Sequence, residues 1–211
     1  MSIWYLVDTI EIMKTNRIYH YLERMGELLK VSARHAGADH GLQPVHLEVL
    51  RYLSVCNRYS DTPMAVTEYL GQTKGTVSQT IKILEKKELV RKEADQNDKR
   101  MTHLKVTKQG RDFIDANLPT DMFVTACQNL SETQQAEIDA ALDLLLTTMI
   151  RSNHMKSFGV CSSCQFNLKR GEGAYFCDLV KAPLTRDDTK LICREHDAGD
   201  RDAQGNLRRL K

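Results

Sequence analysis

The sequence predicts a mainly α-helical protein with one small β-hairpin and a cysteine-rich lobe near its C-terminal end. Apolar residues recur at helical spacings through most of residues 9–154, two short β-like runs flank a charged tip at residues 93–100, and four of the six cysteines follow residue 160. The apolar content of 41% is enough for a folded core, so a fully disordered chain is excluded. With four prolines and eleven glycines in 211 residues, a collagen-like or low-complexity protein is excluded as well.

The N-terminal part is predicted to be helical. A long helix is expected over residues 9–36, because apolar residues lie on one face at spacings of four, three and four. These residues are Ile18, Leu22, Met25 and Leu29. A second helix is expected over residues 43–56, and a polar turn follows at residues 57–61. The apolar stripe of this second helix is Leu47, Leu50 and Leu53.

Two capped helices are predicted next. Thr62 followed by Pro63 is typical of a helix start, and this short helix is expected to end near Gly71. Thr73 is expected to cap a longer helix over residues 74–87. The inner face of the longer helix is Val77, Ile81 and Leu84. Its outer face is Gly75, Gln79, Lys82 and Lys86.

The last helices before the lobe are also marked by their caps. Thr107 is expected to begin one helix, which Pro119 breaks or kinks. Ser131 and Gln134 form a capping-box pattern for a final helix that reaches about residue 154. The apolar stripe of this final helix is Ile138, Leu142, Leu145 and Met149.

Charge is segregated along the chain. The formal net charge is only +2, but residues 72–111 hold eleven Lys and Arg against five Asp and Glu, which gives +6. Residues 112–150 hold seven Asp and Glu and no Lys or Arg, which gives −7. A local basic segment of this kind indicates binding to a polyanion, and the acidic segment is expected to lie on the side away from it.

The order of elements is that of a winged helix-turn-helix. A short helix, a three-residue turn and a longer helix with a basic outer face are followed by a hairpin, whose strands are expected at residues 89–92 and 101–106. A helix fits the major groove of DNA, and a hairpin beside it reaches the neighbouring phosphates. The sequence therefore predicts double-stranded DNA as the polyanion.

Within this segment the residues resemble the MarR family of regulators. The resembling runs are Val66-Thr67-Glu68-Tyr69-Leu70, Thr73-Lys74-Gly75-Thr76-Val77-Ser78-Gln79, Leu84-Glu85-Lys86-Lys87-Glu88-Leu89-Val90-Arg91, Asp98-Lys99-Arg100 and Leu104-Lys105-Val106-Thr107-Lys108-Gln109-Gly110. The Asp-x-Arg wing signature followed by Thr-x-x-Gly is fairly specific. The resemblance covers residues 10–153 and does not extend into the cysteine-rich lobe.

The resemblance implies a homodimeric transcriptional regulator, of the repressor type, that binds a pseudo-palindromic operator. Residues 1–42 and 107–154 would form a helical dimerisation region, and residues 43–106 the winged-helix domain. Two copies of that domain would meet half-sites about one helical turn apart. The resemblance also allows a small aromatic or phenolic effector in the cleft between the two regions.

The outer face and first turns of the longer helix supply the predicted DNA contacts. Gln79 and Lys82 point outward and are expected to contact base edges. Hydroxyl and backbone N–H groups in the first turns are expected to hold a phosphate. They belong to Thr73, Lys74, Thr76 and Ser78. Thr73 alternatively serves only as the helix cap.

The wing supplies the other predicted contacts. By resemblance, Arg100 reaches into the minor groove, and Asp98 orients it through an ion pair. Lys99 either contacts a phosphate or is a solvated wing residue.

The tail at residues 157–198 is predicted to be a metal-binding lobe, followed by a flexible tail at 199–211. Cys161-x2-Cys164 and Cys193-x2-His196 place four ligands at two tight turns, as a tetrahedral Zn²⁺ site needs. The alternative set of Cys161, Cys164, Cys177 and Cys193 suits zinc or an iron–sulfur cluster, with His196 beside it. A lobe with so few large apolar residues rarely folds without a metal.

Three hypotheses for the role of this lobe remain open at the level of sequence. In the first, the metal centre senses redox state or metal, and its loss shifts the dimer because the lobe follows the last dimerisation helix. In the second, the zinc is structural and a small phenolic ligand is the signal. In the third, the lobe is a redox or electron-carrier module attached to a DNA-targeting domain.

The remaining sequence features predict no further site. Cys56 and Cys127 lie near apolar helix faces and are expected to be small core residues. There is no Gly-rich phosphate loop and no Ser/His/Asp grouping, so the chain is not predicted to be an enzyme. No run resembles a secretory signal or a membrane-spanning helix, so a cytoplasmic location without a membrane partner is expected.

Overall fold

The helices and the wing follow the predicted order in a computed structural model, which describes residues 3–96 and 98–199. The elements are α1 (Ile3–Ala38), α2 (Pro44–Val55), α3 (Pro63–Leu70), α4 (Lys74–Lys86), β1 (Val90–Ala94), β2 (Thr102–Val106), α5 (Lys108–Asn117), α6 (Asp121–Gln128) and α7 (Glu132–Ser152). Strands β1 and β2 pair antiparallel. Of the predicted flexible tail, residues 200–211 lie outside the described part of the chain. The fold is therefore mainly helical with a small β wing.

Four of these helices begin at the hydroxyl residues that the sequence predicts as caps. In each, the side-chain oxygen accepts a hydrogen bond from the backbone N–H three residues later. The pairs are Thr62 with Ala65, Thr73 with Thr76, Thr107 with Gly110, and Ser131 with Gln134. Such caps satisfy N–H groups that the first turn of a helix leaves unpaired, so local chemistry is enough to set these boundaries.

Helix α2 lies at the centre of the core. It contacts α1, α3, α4, α5 and β2, and its Leu47, Leu50 and Tyr52 are at most 1% exposed. The predicted inner face of α4 packs into the same core. Its residues are Val77, Ile81 and Leu84. Leu104 of β2 and Phe113 of α5 also pack into this core, so the hairpin and the following helix are positioned by the burial of α2.

The predicted apolar stripes of α1 and α7 are exposed in the single chain. On α1, Ile18 is 50% exposed, and Met25 and Leu29 are similarly open. On α7, Ile138 and Met149 are about half exposed. Apolar stripes of this length are normally covered by another surface. Among the described helices, none combines the length and the apolar character needed to span a bilayer.

The cysteine lobe, residues 157–198, is built from turns and very short strands. Strands β3 (Asn167–Lys169), β4 (Tyr175–Cys177) and β5 (Ala182–Leu184) form an antiparallel sheet in the order β3-β4-β5. Single 3₁₀ turns lie at Cys161–Ser163 and Asp188–Lys190. The sequence predicts no helix here and the described lobe contains no α-helix. The strands were not anticipated, because three residues are too few to show an alternating pattern.

Gly110 in the first turn of α5 gives a direct test of this packing. A Cβ at this position would overlap the carbonyl oxygen of Leu89 and lie 2.8 Å from Cγ1 of Val106. We expect Gly110→Ala to lower the free energy of unfolding by about 1–3 kcal/mol, because neither β1 nor β2 can move away without disturbing the core. Urea denaturation followed by circular dichroism measures the change.

The matched control is Gly75→Ala on α4, where the nearest atom to the new Cβ is Thr73 Oγ1 at 3.8 Å. This variant is expected to be as stable as the wild type or slightly more so, because alanine favours helix. Equal denaturation curves for the two variants would contradict the packing described for Gly110.

Candidate nucleic-acid interface and cysteine lobe

The turn between α3 and α4 sets the angle at which α4 leaves the core. Helix α3 ends at Gly71, whose φ of 61° lies in the left-handed region that glycine adopts without strain. The N–H groups of Gly71 and Gln72 both reach the carbonyl oxygen of Thr67. Thr73 then caps α4 at once, so the first turn of α4 projects from the domain.

The predicted contact residues of α4 are all exposed. The structure brings together Thr73, Lys74, Thr76, Ser78, Gln79 and Lys82 on the first turns and outer face of this helix. Thr73 Oγ1 accepts the N–H of Thr76 and also lies 2.9 Å from Thr76 Oγ1, so the cap that the sequence offers as an alternative role is present. The exposed face carries hydroxyl, amide and ammonium donors, which are the groups that contact DNA phosphates and bases.

The wing places Arg100 away from the domain surface. Its Nε and Nη2 donate to Oδ1 and Oδ2 of Asp98 at 3.0 and 3.2 Å, which is the ion pair that the sequence predicts. The hydrogen bond from Arg100 holds the pKa of the Asp98 carboxyl below its usual value. The Arg100 side chain is 92% exposed, and the neighbouring Lys99 is exposed as well. Asp98 therefore orients a guanidinium that still has free donors.

A buried polar cluster fixes the base of the wing, and sequence reasoning missed it. Asp61 was expected in an ordinary polar turn, but it is only 4% exposed. Its Oδ1 lies 2.5 Å from Nδ1 of His103 on β2, and its Oδ2 accepts a hydrogen bond from Lys105. Nε2 of His103 lies 3.0 Å from Oδ2 of Asp95 at the tip of the wing. The cluster joins the turn before α3 to both ends of β2.

The electrostatics of this cluster favour a charged imidazole. The hydrogen bond to Asp61, together with that to Asp95, raises the pKa of His103 above its ordinary value near 6.5. When protonated, the His103 ring can donate to both carboxylates, one from each ring nitrogen. The sequence does place His103 and Lys105 on one face of a strand, and this alternation could have suggested a shared partner. That partner, Asp61, lies 42 and 44 positions away along the chain.

The structure gathers the cysteines of the lobe at one corner. Cys161 and Cys164 flank a 3₁₀ turn and are buried, Cys177 ends β4, and Cys193 follows the segment paired with residue 160. Burial raises the pKa of the Cys161 thiol to about 11, with further increases from the three other thiols. Burial also raises the pKa of the Cys164 thiol, although the nearby backbone of Asp197 and Phe166 opposes this increase.

These groups are close together without forming a closed ligand set. Among the described residues, no three His, Cys, Asp or Glu side chains meet at the distances of a metal site. His196 is engaged elsewhere, since its Nδ1 and Nε2 lie 2.7 and 2.9 Å from the hydroxyl oxygens of Ser157 and Ser163. Its ring also occupies the space beside Gly159. None of the six cysteines, all within the described residues, forms a disulfide.

The two remaining cysteines differ in burial. Cys56 is 8% exposed and lies in the core as predicted, and this burial raises the pKa of its thiol to about 12. Cys127 on α6 is only partly buried, so the core position predicted for it is not reached in the single chain.

A cleft lies between the winged-helix domain and the helices beside it. It has a volume of about 470 Å³ and is lined by mostly apolar atoms of the α1–α2 turn, the start of β1 and α5. Leu42, Leu89 and Phe113 supply apolar surface, and Lys87 and Asp112 lie at its edge. Its size is that of a site for a small organic molecule.

Comparison with known proteins agrees with this geometry. The sequence model of the MarR family matches residues 40–101. A structure of the S. aureus MepR–DNA complex is similar with a TM-score of 0.51 and 25% identity, over 62% of this chain and 97% of that one. S. aureus MepR in its DNA-binding conformation gives 0.53 at 25% identity, with coverages of 62% and 98%. The transcriptional regulator SlyA gives 0.54 at 16% identity, with coverages of 64% and 95%. None of the curated proteins matches the chain.

The fold and the exposed face of α4 define a winged helix-turn-helix protein. Over residues 40–101 the sequence is similar to that of the MarR family. Neither the family match nor the similar structures account for the cysteine lobe, because the similar structures cover about two thirds of the chain.

His103 provides a pH-dependent test of the wing. Because its pKa in the folded protein is raised above 6.5, its ion pairs contribute their full stability below pH 6.5 and lose it as the pH rises through the raised pKa. We expect His103→Ala to lower the free energy of unfolding by about 1–2 kcal/mol at pH 6, and by less at pH 9. Urea denaturation at the two pH values measures this difference.

An NMR titration of the wild-type His103 ring gives an independent measurement. A His103 pKa at or below 6.5 would contradict the charged cluster described here.

Proposed function

We propose that the chain is a homodimeric, sequence-specific DNA-binding regulator of the repressor type. One observation carries this proposal: the exposed outer face of α4 and the outward-held Arg100 lie on the same domain, in the arrangement of a helix and wing that reach a groove and its neighbouring phosphates. The similarity to the S. aureus MepR–DNA complex supports DNA as the ligand.

Each exposed group has a role in this proposal. Gln79 and Lys82 contact base edges in the major groove, since they lie on the face of α4 opposite its buried residues. Thr73, Lys74, Thr76 and Ser78 contact a phosphate near the start of α4. Arg100 enters the adjacent minor groove and Lys99 contacts its phosphates. Asp98 positions Arg100 and does not itself contact the anion.

The exposed stripes of α1 and α7 support the homodimer. Their apolar residues would be covered by the same residues of a second chain, as a two-fold interface requires. The −7 segment at residues 112–150 lies on α5, α6 and α7, which belong to the region assigned here to dimerisation. Two winged-helix domains related by a two-fold axis then contact a pseudo-palindromic site.

Arg100→Ala and Gln79→Ala test the proposed contacts. A high-affinity duplex is first selected from a random-sequence library with the wild-type protein, and binding is then measured by fluorescence anisotropy. We expect each substitution to weaken binding by roughly 1–3 kcal/mol, because each removes donors to the grooves. Gln79→Ala should also relax the preference at one base position of each half-site, whereas Arg100→Ala should reduce the salt dependence.

Lys181→Ala is the matched control, because Lys181 lies in the cysteine lobe and pairs with Asp178 on the surface. It removes one positive charge without touching the proposed interface and should leave the affinity unchanged. If the wild type selects no duplex, or if Lys181→Ala weakens binding as much as Arg100→Ala, the proposed interface is wrong.

We also propose that the cysteine lobe holds one Zn²⁺ through Cys161, Cys164, Cys177 and Cys193. The chemistry of the residues supports this proposal: the four cysteines are near enough to influence one another electrostatically, and four thiolates are a common ligand set for structural zinc. Burial disfavours the thiolates, and a bound cation would reverse that preference. The contacts of His196 with two serine hydroxyls favour the four-cysteine set over the set that includes His196.

The signal that controls DNA binding has two candidates. A labile zinc or an iron–sulfur cluster in the same four cysteines would make the lobe the sensor. The cleft beside Phe113 instead supports a small aromatic or phenolic effector, with the zinc serving only to fold the lobe. A redox or electron-carrier role for the lobe requires an iron–sulfur cluster and not zinc.

Metal analysis of protein purified without oxygen tests the centre. We expect one zinc per chain and no visible absorbance, and removal by a strong chelator should lower the thermal midpoint by about 5–10 °C, since a small lobe loses its principal source of stability. Cys161→Ser/Cys164→Ser should abolish zinc binding. Cys127→Ser, which changes a cysteine outside the lobe, should leave it intact.

The outcomes separate the alternatives. Visible iron–sulfur absorbance would show that the lobe holds a cluster instead of zinc. Protein that contains no metal and has an unchanged thermal midpoint would contradict a metal centre. DNA binding that ignores the chelator but responds to salicylate would assign the signal to the cleft.

A further inference from the structure

The cysteine lobe is joined to the winged-helix domain by backbone hydrogen bonds at the end of α2. The N–H of Ile192 donates to the carbonyl oxygen of Val55, and the N–H of Asn57 donates to the carbonyl oxygen of Ile192, both at 2.9 Å. Ile192 thus pairs parallel with Cys56, and antiparallel with Val160 on its other side. The last turn of a helix leaves its carbonyl groups unpaired, so the lobe completes the C-terminal end of α2.

Arg194 joins the same lobe segment to α3. Its Nε and Nη2 donate to Oε2 and Oε1 of Glu68 at 2.7 and 2.6 Å, which is a bidentate ion pair. Its backbone N–H donates to Oγ of Ser60, a residue with no exposed surface. Lys156, between α7 and the lobe, adds a second positive charge 3.4 Å from Glu68.

An aromatic contact supports these polar ones. Phe158 is 9% exposed and packs edge-on against Tyr52 of α2 and Tyr69 of α3, with ring centroids 6.0 and 5.2 Å away. Tyr52 in turn donates to the carbonyl oxygen of Ser60. Phe158 near the start of the lobe and residues 192–194 near its end therefore contact the same two helices, α2 and α3.

Helix α3 depends on these contacts because it has little burial of its own. It is eight residues long, and only Ala65 and Val66 are buried. A helix of this length is not stable in isolation and needs packing against its neighbours. Since α3 leads through a three-residue turn into α4, a change in α3 also changes the position of the exposed face of α4.

We propose that the cysteine lobe stabilises the DNA-binding arrangement of α3 and α4 through the segment 192–194, so that the folded state of the lobe sets the affinity for DNA within each subunit. The inference rests on the proposed DNA-binding function. Cys193 lies between Ile192 and Arg194, so a change at this thiol reaches α2 and α3 directly. This route differs from the one expected from sequence, in which the lobe acts by shifting the dimerisation helices.

The Arg194–Glu68 pair allows a charge-exchange experiment with the full-length protein. Affinity for the duplex selected by the wild type is measured for Arg194→Glu, Glu68→Arg and the double variant Arg194→Glu/Glu68→Arg. We expect each single variant to bind roughly tenfold more weakly, because a partly exposed bidentate ion pair is replaced by two like charges. The double variant should recover most of the affinity, since the exchanged charges attract again.

Two measurements show that the variants remain folded. Circular dichroism and the mass in solution report the helix content and the oligomeric state of each protein. Lys190→Ala is the matched control, because Lys190 forms an exposed ion pair with Asp187 within the lobe. This variant should bind DNA as the wild type does.

Amide hydrogen exchange gives a readout that does not involve DNA. In the single variants the N–H groups of Val66 and Asn57 should exchange faster, and in the double variant they should return to the wild-type rate. If the wild type binds no DNA, the proposed function fails while exchange still tests the contact. If the wild type binds but the single variants bind equally well, or if exchange is unchanged in them, the inference is overturned.

Discussion

The enclosure of α2 is the constraint on which the rest of the structure depends. Leu47 and Leu50 lie on one face of this helix and Tyr52 lies on another, and each is almost fully buried. Helix α2 has apolar residues on more than one face, and each face needs a neighbour to bury it. The N-terminal helix, the hairpin, α4 and α5 therefore all pack against α2. The helix-turn-helix and the wing are thus two consequences of one burial requirement, and the relation between them is set before any ligand is present.

Features determined by neighbouring residues could be predicted from the sequence. The four hydroxyl caps mark the residues at which their helices begin, because each cap bonds only to its own first turn. The spacing of Val77, Ile81 and Leu84 shows which side of α4 faces the core. By subtraction, the same spacing identifies the outer face of α4. The Asp98–Arg100 pair is equally local, because the two residues are separated by one position.

Features that join distant parts of the chain could not be predicted. The turn at residues 57–61 appears polar and solvated in the sequence, but Asp61 is buried because its charge partners arrive on β2. The spacing of the cysteines predicts a metal lobe, yet it carries no information on where that lobe lies. Contacts such as Arg58 with the carbonyl oxygen of Pro183 involve residues 125 positions apart. No local pattern encodes such a pairing, since either partner alone is an ordinary surface residue.

The pairing of Ile192 with the end of α2 also has a consequence for synthesis. The hydrogen bond between Arg194 and Ser60 closes a loop of 134 residues, so it forms only after residue 194 has left the ribosome. Until then the turn before α3 lacks the N–H of Arg194 at Ser60, and Glu68 of α3 lacks the guanidinium of Arg194. A nascent or truncated chain therefore has a complete α4 but an unfinished support for it.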